Sequence, residues 1–255
     1  MRTILSVKKL RKQFDDGKQK ITNVLNDISF DVEEADFIAI MGPSGSGKST
    51  LLYNISGMDQ PSSGDVILEE KNIGELSQVE LANIRLRKFG YVFQQPHLIN
   101  SLTVRENIVL AASVLNKQVD ATIADKANEL MKLTGIIELA DRNTMSLSGG
   151  QAQRVSICRS FMNDPKLVFA DEPTGSLNSK SSEEIMDLFV DINHKGSTIM
   201  LVTHDPLVAA KANQVWFLLD GVIYRKEFLG PWDKSQMSII NRKNKINDIM
   251  SEIEI

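Results

Sequence analysis

The sequence predicts an α/β fold with a parallel sheet at its centre, on three observations. An apolar run, Phe37–Met41, leads directly into the glycine-rich stretch GPSGSGKST. In the second half, strand-like apolar runs occur at 167–170, 198–202 and 215–219, and a helical pattern at 182–194 lies between the first two. A helical pattern also continues over 104–161. Because strands that alternate with helices favour a parallel sheet, we expect such a sheet with a helical block inserted.

Short strands are also predicted at 4–7, 25–32 and 65–68, around the first strand of the glycine-rich loop. The composition is that of an ordinary globular protein, with 42% hydrophobic and 24% charged residues. The formal net charge is −4, which gives no electrostatic footprint for wrapping nucleic acid. No nucleic-acid partner is therefore expected.

No apolar run approaches the roughly 20 residues that a membrane-spanning helix needs, and charges enter residues 1–14 too early for a secretory signal. We therefore expect a chain that is soluble by itself, with any membrane role supplied through a partner. The single cysteine, Cys158, excludes an intramolecular disulfide and fits a reducing compartment. We interpret it as a buried small hydrophobe on a helix over 152–162, against the alternative of a reactive thiol.

The glycine-rich stretch fits the phosphate-loop pattern G-x-x-x-x-G-K-[ST]. Glycines let the backbone curl round phosphates, and the helix that follows presents unpaired N–H donors. Lys48 adds a positive charge for the β and γ phosphates, and Ser49 a hydroxyl for Mg²⁺. The alternative is a turn that binds nothing. The predicted ATP-binding residues are Gly42, Pro43, Ser44, Gly45, Ser46, Gly47, Lys48, Ser49 and Thr50.

The stretch LVFADEP, residues 167–173, predicts a second element that handles phosphate. A buried parallel strand that ends in acidic residues presents them at the carboxyl edge of the sheet, where ligands of open α/β sheets bind. We expect Asp171 to hold Mg²⁺ through water and Glu172 to polarise the attacking water. Downstream of a phosphate loop, this pair predicts ATP hydrolysis.

The stretch LSGGQ, residues 147–151, predicts a second helix start that can receive an anion. The residues concerned are Ser148, Gly149, Gly150 and Gln151. One chain then carries two phosphate-binding helix starts. Both are used if two chains pair head to tail, so that each LSGGQ closes over the nucleotide of the other chain.

The chain resembles the ATP-binding subunits of ATP-binding cassette (ABC) transporters over nearly all of residues 1 to about 226. The resemblance rests on five motifs in the family's order: GPSGSGKST, VFQQP, LSGGQ, LVFADEPTG and LVTHD. It implies a P-loop NTPase core with a parallel sheet, an antiparallel β subdomain and an inserted α-helical subdomain. It also implies an ATPase that uses ATP and Mg²⁺, forms a homodimer on ATP and drives an integral membrane permease.

Three further roles come from the resemblance alone. Gln94 is similar to the glutamine that touches Mg²⁺ and senses the membrane subunit, His204 to the histidine that contacts the γ-phosphate, and Phe14 to the aromatic that stacks on adenine. The alternatives are a surface glutamine, a structural histidine and a core phenylalanine. Asn178 departs from the family, which usually has aspartate there.

Within the family, the stretches SGMDQPSSGDVIL, DEPTGSLNSK and THDP resemble the subgroup of macrolide exporters, lipoprotein-release machines and Bce-type peptide-antibiotic resistance transporters. The ending FLLDGVIYRKEFLG favours the Bce type. This resemblance implies peptide-antibiotic resistance or export, at the cytoplasmic face of the cell membrane, with the chain held there through its permease.

Two other functions remain open. One is a soluble ATP-driven clamp on DNA or ribosomes, although no sustained heptad run predicts the long coiled coil of the DNA-repair relatives. The other is a nucleotide-binding switch without hydrolysis, which Glu172 disfavours.

We expect a nucleotide-binding domain over 1–230, its helical subdomain at about 95–165, and a tail over 231–255. The tail predicts a helix that packs on its own domain or contacts a partner subunit or permease.

Overall fold

The computed structural model describes residues 2–15, 21–116 and 119–253. The strands run in chain order as β1 (Thr3–Asp15), β2 (Ile21–Glu33), β3 (Phe37–Met41), β4 (Ser63–Leu68), β5 (Lys71–Asn72), β6 (Phe89–Phe93), β7 (Leu167–Asp171), β8 (Ile199–Val202), β9 (Gln214–Leu219) and β10 (Val222–Phe228). The α-helices are α1 (Lys48–Ile55), α2 (Gln78–Lys88), α3 (Val104–Asn116), α4 (Ala121–Leu133), α5 (Gly149–Phe161), α6 (Ser179–His194), α7 (Pro206–Ala209) and α8 (Gln236–Glu252). Within these residues, no helix is both long enough and apolar enough to cross a bilayer.

The central sheet has six strands in the order β10-β9-β3-β8-β7-β6 within the described chain. Neighbours from β9 to β6 pair in parallel, and β10 closes one edge antiparallel to β9. β3 is buried along its whole length, and its side chains alternate between two hydrophobic clusters. The predicted parallel sheet is confirmed, and the phosphate loop leaves its middle.

A second sheet, antiparallel and of order β2-β1-β4-β5, packs over one face of the central sheet. Its inward residues, such as Leu5, Leu25 and Val66, share one hydrophobic cluster with Ile38 and Ile40 of β3. The three predicted strands lie here, and β1 and β2 extend well beyond their predicted ends. This extension carries β1 as far as Phe14.

The helical block consists of α3, α4 and α5, which enclose a hydrophobic cluster of their own. Cys158 lies in this cluster, fully buried, with its Sγ atom 3.1 Å from the Thr134 hydroxyl. Burial raises the pKa of the thiol to about 12, so Cys158 is the inert small hydrophobe that its position predicted. Helix α5 starts at Gly149, three residues before the predicted start.

The tail forms α8, which packs on its own chain. Ile239, Ile246, Ile249 and Ile253 are buried in the cluster that also contains the inner face of α6. The Arg242 guanidinium donates to backbone carbonyls of two other segments: Ala210 and Ala212 after α7, and Leu229, Gly230 and Pro231 after β10. Of the two predictions for the tail, packing on its own domain is the one observed.

Candidate functional site

The phosphate loop begins where β3 ends and folds back against β9 and β2. A Cβ atom on Gly42 would lie 2.1 Å from the Leu218 carbonyl oxygen, and one on Gly47 would lie 2.8 Å from the Val24 carbonyl oxygen. Gly47 also has a φ of 100°, in the left-handed region that favours glycine. Both glycines are therefore required by the fold of the loop as well as by space for a ligand.

Helix α1 starts at Lys48 with no side-chain cap, because its N-cap residue is Gly47. Its first N–H donors therefore remain free of a side-chain acceptor. The Lys48 ammonium crosses the loop and donates to the carbonyl oxygens of Gly42 and Pro43, at 2.9 and 2.8 Å. Burial lowers the pKa of Lys48, and the nearby carboxylates Glu172 and Asp171 act in the opposite direction.

The loop also contains a buried polar atom without a partner. The Ser46 hydroxyl is buried and has no hydrogen bond within the described residues. Such a group costs free energy unless it finds a hydrogen-bond partner, and a phosphate oxygen would accept a hydrogen bond from it. The glycine cradle, the uncapped helix start, the lysine and this hydroxyl together fit the phosphates of a nucleotide.

Asp171 ends β7 beside the first turns of α1. The Ser49 hydroxyl donates to its Oδ1 atom, and the Tyr53 hydroxyl donates to its Oδ2 atom, both at 3.1 Å. Burial first, and then the charge of Asp171, raise the pKa of Tyr53 and keep it a neutral donor. The predicted pair Ser49 and Asp171 is thus in contact, and its oxygen ligands suit Mg²⁺. No motif in the sequence marked Tyr53 as a site residue.

Glu172 follows in the left-handed region, with a φ of 48°. This conformation costs energy for a residue other than glycine, and such residues cluster at functional sites. Its Oε1 atom lies 3.0 Å from His204 Nδ1, so the ring donates to the carboxylate when Nδ1 carries the proton. Glu172 is mostly buried, whereas 73% of the His204 side chain is exposed. The two residues predicted for catalysis are therefore adjacent.

Gln94 follows β6 and is exposed, and its side chain packs against Gly175, where a Cβ atom would lie 2.7 Å from Nε2. The Ser176 hydroxyl donates to the backbone carbonyl oxygen of Gln94 at 3.1 Å. Gln94 therefore lies beside the turn that follows Glu172, at the edge of the sheet that presents Asp171.

Side chains of α5 donate hydrogen bonds to the backbone of the segment around Gln94. Gln153 donates to the Phe93 carbonyl at 3.0 Å, and Arg159 donates to the carbonyls of Pro96 and His97 at 2.7 and 3.0 Å. Nearby, Ile99 is 42% exposed. Leu98, by contrast, is half-buried against the helical block.

Phe14 lies near the end of β1, opposite Thr22 of β2. It is not a core residue, because 48% of it is exposed, and the Lys12 ammonium lies 5.0 Å from its ring centroid. Val24, two residues along β2 from Thr22, contacts Gly47. An exposed aromatic ring thus lies on the sheet that flanks the phosphate loop.

Ser148 is the N-cap of α5, and it forms a capping box with Gln151. The Gln151 N–H donates to the Ser148 hydroxyl at 3.3 Å, and the Ser148 N–H donates to Gln151 Oε1 at 2.9 Å. The N–H groups of Gly149 and Gly150 make no hydrogen bond to the described part of the chain. The predicted helix start is present, with Ser148 and Gly149 exposed and Gly150 and Gln151 half-buried. No hydrogen bond joins it to the phosphate loop within the described residues.

Asn178 is the N-cap of α6, where its Oδ1 atom accepts a hydrogen bond from the Ser181 N–H at 2.9 Å. Aspartate is an equally good residue for this position. Ser181 also lies close to Gly150, at 3.3 Å from its projected Cβ atom. Asn178 therefore supports the helix that packs beneath the exposed helix start.

The loop, the sheet edge and the acidic pair define the class of protein: the chain is a P-loop ATPase. The ABC transporter family matches residues 25–175, which is more than half of the chain. The chain belongs to this family and is its ATP-binding cassette.

Two relatives match the subgroup predicted from the sequence. The chain is 36% identical to the bacitracin export ATP-binding protein BceA of Halalkalibacterium halodurans, over 98% of each chain. It is 40% identical to the macrolide export ATP-binding/permease protein MacB of Mannheimia succiniciproducens, over 86% of this chain. That match covers only 34% of MacB, so the chain spans about a third of the length of that relative.

Two solved structures of the cassette MJ0796 share the fold, each with a TM-score of 0.80 over 90% of this chain and all of the other. One, 37% identical, is described as a dimeric structure of a bacterial ABC transporter cassette. The other, 36% identical, is described as a dimeric post-hydrolysis state bound to ADP and Pi. These similarities confirm the predicted fold class and the predicted ATPase activity.

Proposed function

We propose that this ATPase is the subunit that powers a separate membrane permease in peptide-antibiotic resistance or export. One observation carries the proposal: the similarity to the bacitracin export protein BceA extends over 98% of both chains. It therefore includes the region of α8, which lies beyond the matched family core at residues 25–175.

In the proposed site, the phosphate loop from Gly42 to Thr50 holds the phosphates of ATP, and Phe14 stacks on the adenine ring. Ser49, Asp171 and Gln94 hold Mg²⁺, which neutralises charge on the phosphates when bound. The contact between Ser49 and Asp171, at 3.1 Å, supports this assignment. The exposed ring of Phe14 beside the loop supports the stacking.

For hydrolysis, we assign Glu172 as the base that orients and deprotonates the attacking water. His204 holds the Glu172 carboxylate through its Nδ1 atom and presents its other ring nitrogen to the γ-phosphate. The 3.0 Å contact between the two side chains and the left-handed backbone of Glu172 support these roles.

A homodimer completes the proposed site. The uncapped N–H groups of Gly149 and Gly150, together with the Ser148 hydroxyl and Gln151, face the nucleotide on the partner's phosphate loop. The exposure of Ser148 and Gly149 at the surface of the single chain supports this arrangement, and the cassette MJ0796 is described as dimeric.

The permease contact is proposed at the segment that follows Gln94. Its backbone is fixed by Arg159, while Ile99 remains 42% exposed. The chain would then lie on the cytoplasmic face of the membrane, attached through the permease. Cross-linking from an Ile99→Cys variant in a Cys158→Ser background should reach a membrane protein. Cross-links confined to the ATPase dimer would contradict this docking site.

The proposed boundaries remain those expected from the sequence: a nucleotide-binding domain over 1–230, with its helical part at about 95–165, and a tail over 231–255. The alternative of a clamp on DNA is disfavoured because α3, α4 and α5 have 13 residues each. In this part of the described chain they form no long coiled coil.

The experiment that tests the substrate class is genetic. The gene for this chain is deleted and restored as wild type or as Glu172→Gln, and susceptibility to bacitracin and to a macrolide is measured. We expect bacitracin susceptibility to rise on deletion and to be reversed by the wild type alone. A change confined to the macrolide, or no change for either drug, would contradict the peptide-antibiotic proposal.

A further inference from the structure

Within the described α1, Tyr53 is the only side chain besides Ser49 that forms a hydrogen bond with Asp171. The two residues are four positions apart, so they lie on one face of the helix. This spacing lets one hydroxyl reach each oxygen of a single carboxylate: Ser49 reaches Oδ1 and Tyr53 reaches Oδ2. The carboxylate is therefore fixed in rotation as well as in place.

Tyr53 itself is fixed both at its ring and at its backbone carbonyl. Its ring is half-buried and packs against the hydrophobic cluster beneath the antiparallel sheet. Its carbonyl oxygen accepts hydrogen bonds from the N–H groups of Met58 and Asp59, at 2.9 and 3.0 Å, where α1 ends. The phenol is thus a donor whose position is set by the fold and not by Asp171.

The two donors differ in what they can do once a cation is present. Ser49 is assigned above as a ligand of the ion, so its hydroxyl oxygen gives a lone pair to the ion while its O–H can still donate to Asp171 Oδ1. Tyr53 lies on the other carboxylate oxygen and can keep its hydrogen bond. Partners of this kind orient a metal-binding carboxylate, and their removal typically weakens metal affinity about 10- to 100-fold.

We propose that Tyr53 is a positioning residue for magnesium: its hydroxyl holds Asp171 Oδ2 and leaves Oδ1, the oxygen shared with Ser49, directed at the ion. This inference rests on the magnesium site proposed above. It assigns a task to a residue that is outside the phosphate-loop pattern. Because the hydroxyl acts on cation binding and not on nucleotide binding, its removal should lower the affinity for the cation and leave the affinity for ATP unchanged.

The test is Mn²⁺ binding to the ATP complex, measured by electron paramagnetic resonance in a Glu172→Gln background that preserves the nucleotide. Tyr53→Phe removes only the hydroxyl. We expect Mn²⁺ affinity to fall at least about tenfold, while ATP affinity measured in EDTA stays within twofold. The matched control is Tyr91→Phe, because Tyr91 packs on the same cluster and donates instead to the Ser56 carbonyl at 2.8 Å. It should leave both affinities unchanged.

Asp171→Asn separates this inference from the magnesium site on which it rests. If Asp171→Asn weakens Mn²⁺ binding and Tyr53→Phe does not, the role of Tyr53 is wrong and the site stands. If neither variant weakens it, the proposed metal site itself is wrong. An equal loss of ATP affinity in EDTA for Tyr53→Phe would also overturn the inference, because it would indicate a structural role in α1.

Discussion

Arg242 predicts that α8 contributes measurably to the stability of the cassette. Its guanidinium joins the end of α7 to the turn after β10, and its shortest hydrogen bonds are to the carbonyl oxygens of Pro231, Gly230 and Leu229, at 2.7, 3.0 and 3.1 Å. Arg242→Ala removes all of these bonds without removing the buried isoleucines of the helix.

The magnitude follows from the Nη2 group of Arg242, whose two N–H groups are shared among these three carbonyl oxygens. Arg242 is only partly buried, so water replaces part of what is lost, and each N–H is counted at about 1 kcal/mol, the net value for an ordinary hydrogen bond. The total is about 2 kcal/mol. At roughly 2 to 4 °C per kcal/mol for a chain of this size, the melting temperature should fall by about 4 to 8 °C.

The assay is thermal unfolding followed by circular dichroism, with Lys243→Ala as the matched control. Lys243→Ala removes a cation from the neighbouring position of the same helix and should change the melting temperature by less than about 2 °C. Arg242→Lys should be intermediate, because one ammonium cannot span both segments. If Arg242→Ala melts within 2 °C of the control, the bonds carry no net stability and the reasoning is refuted.

Three further predictions concern the nucleotide. Glu172→Gln should bind ATP but hydrolyse it about 10²- to 10⁴-fold more slowly, measured as phosphate release; a wild-type rate would show that another group is the base. Gly150→Asp should still bind ATP as a monomer but fail to dimerise, because its carboxylate would face the partner's phosphate; ATP-driven dimers on a sizing column would exclude the shared site. Asn178→Asp keeps the cap of α6, so turnover should stay within about tenfold, or 1.4 kcal/mol of barrier. A rise of several hundredfold would show that asparagine had weakened the wild-type enzyme.

Local signals made much of this fold predictable. The apolar run before Gly42 and the glycines after it predicted strand, loop and helix, and β3, the phosphate loop and α1 follow that order. Helix α2 was not predicted, although a signal was available. Ser77 and Glu80 fit the S-x-x-E pattern, and they form a capping box at its start.

The contacts that complete the site were not predictable in this way. Tyr53 reaches Asp171 across 118 positions of the sequence, and Arg159 reaches Pro96 across 63. In the second case the acceptor is a backbone carbonyl, which every residue has, so no residue type marks the partner. Such contacts depend on how helices and sheet pack, and hydrophobic periodicity gives the elements without their mutual positions.

Helix α5 connects the exposed glycine turn to the segment around Gln94. Its first turn begins at Gly149; about one turn later Gln153 holds the Phe93 carbonyl, and nearly three turns after Gly149 Arg159 holds the carbonyls of Pro96 and His97. One short helix thus joins the exposed glycine turn to the loop that begins the helical block. A tilt of α5 at its glycine end would therefore displace that loop as well.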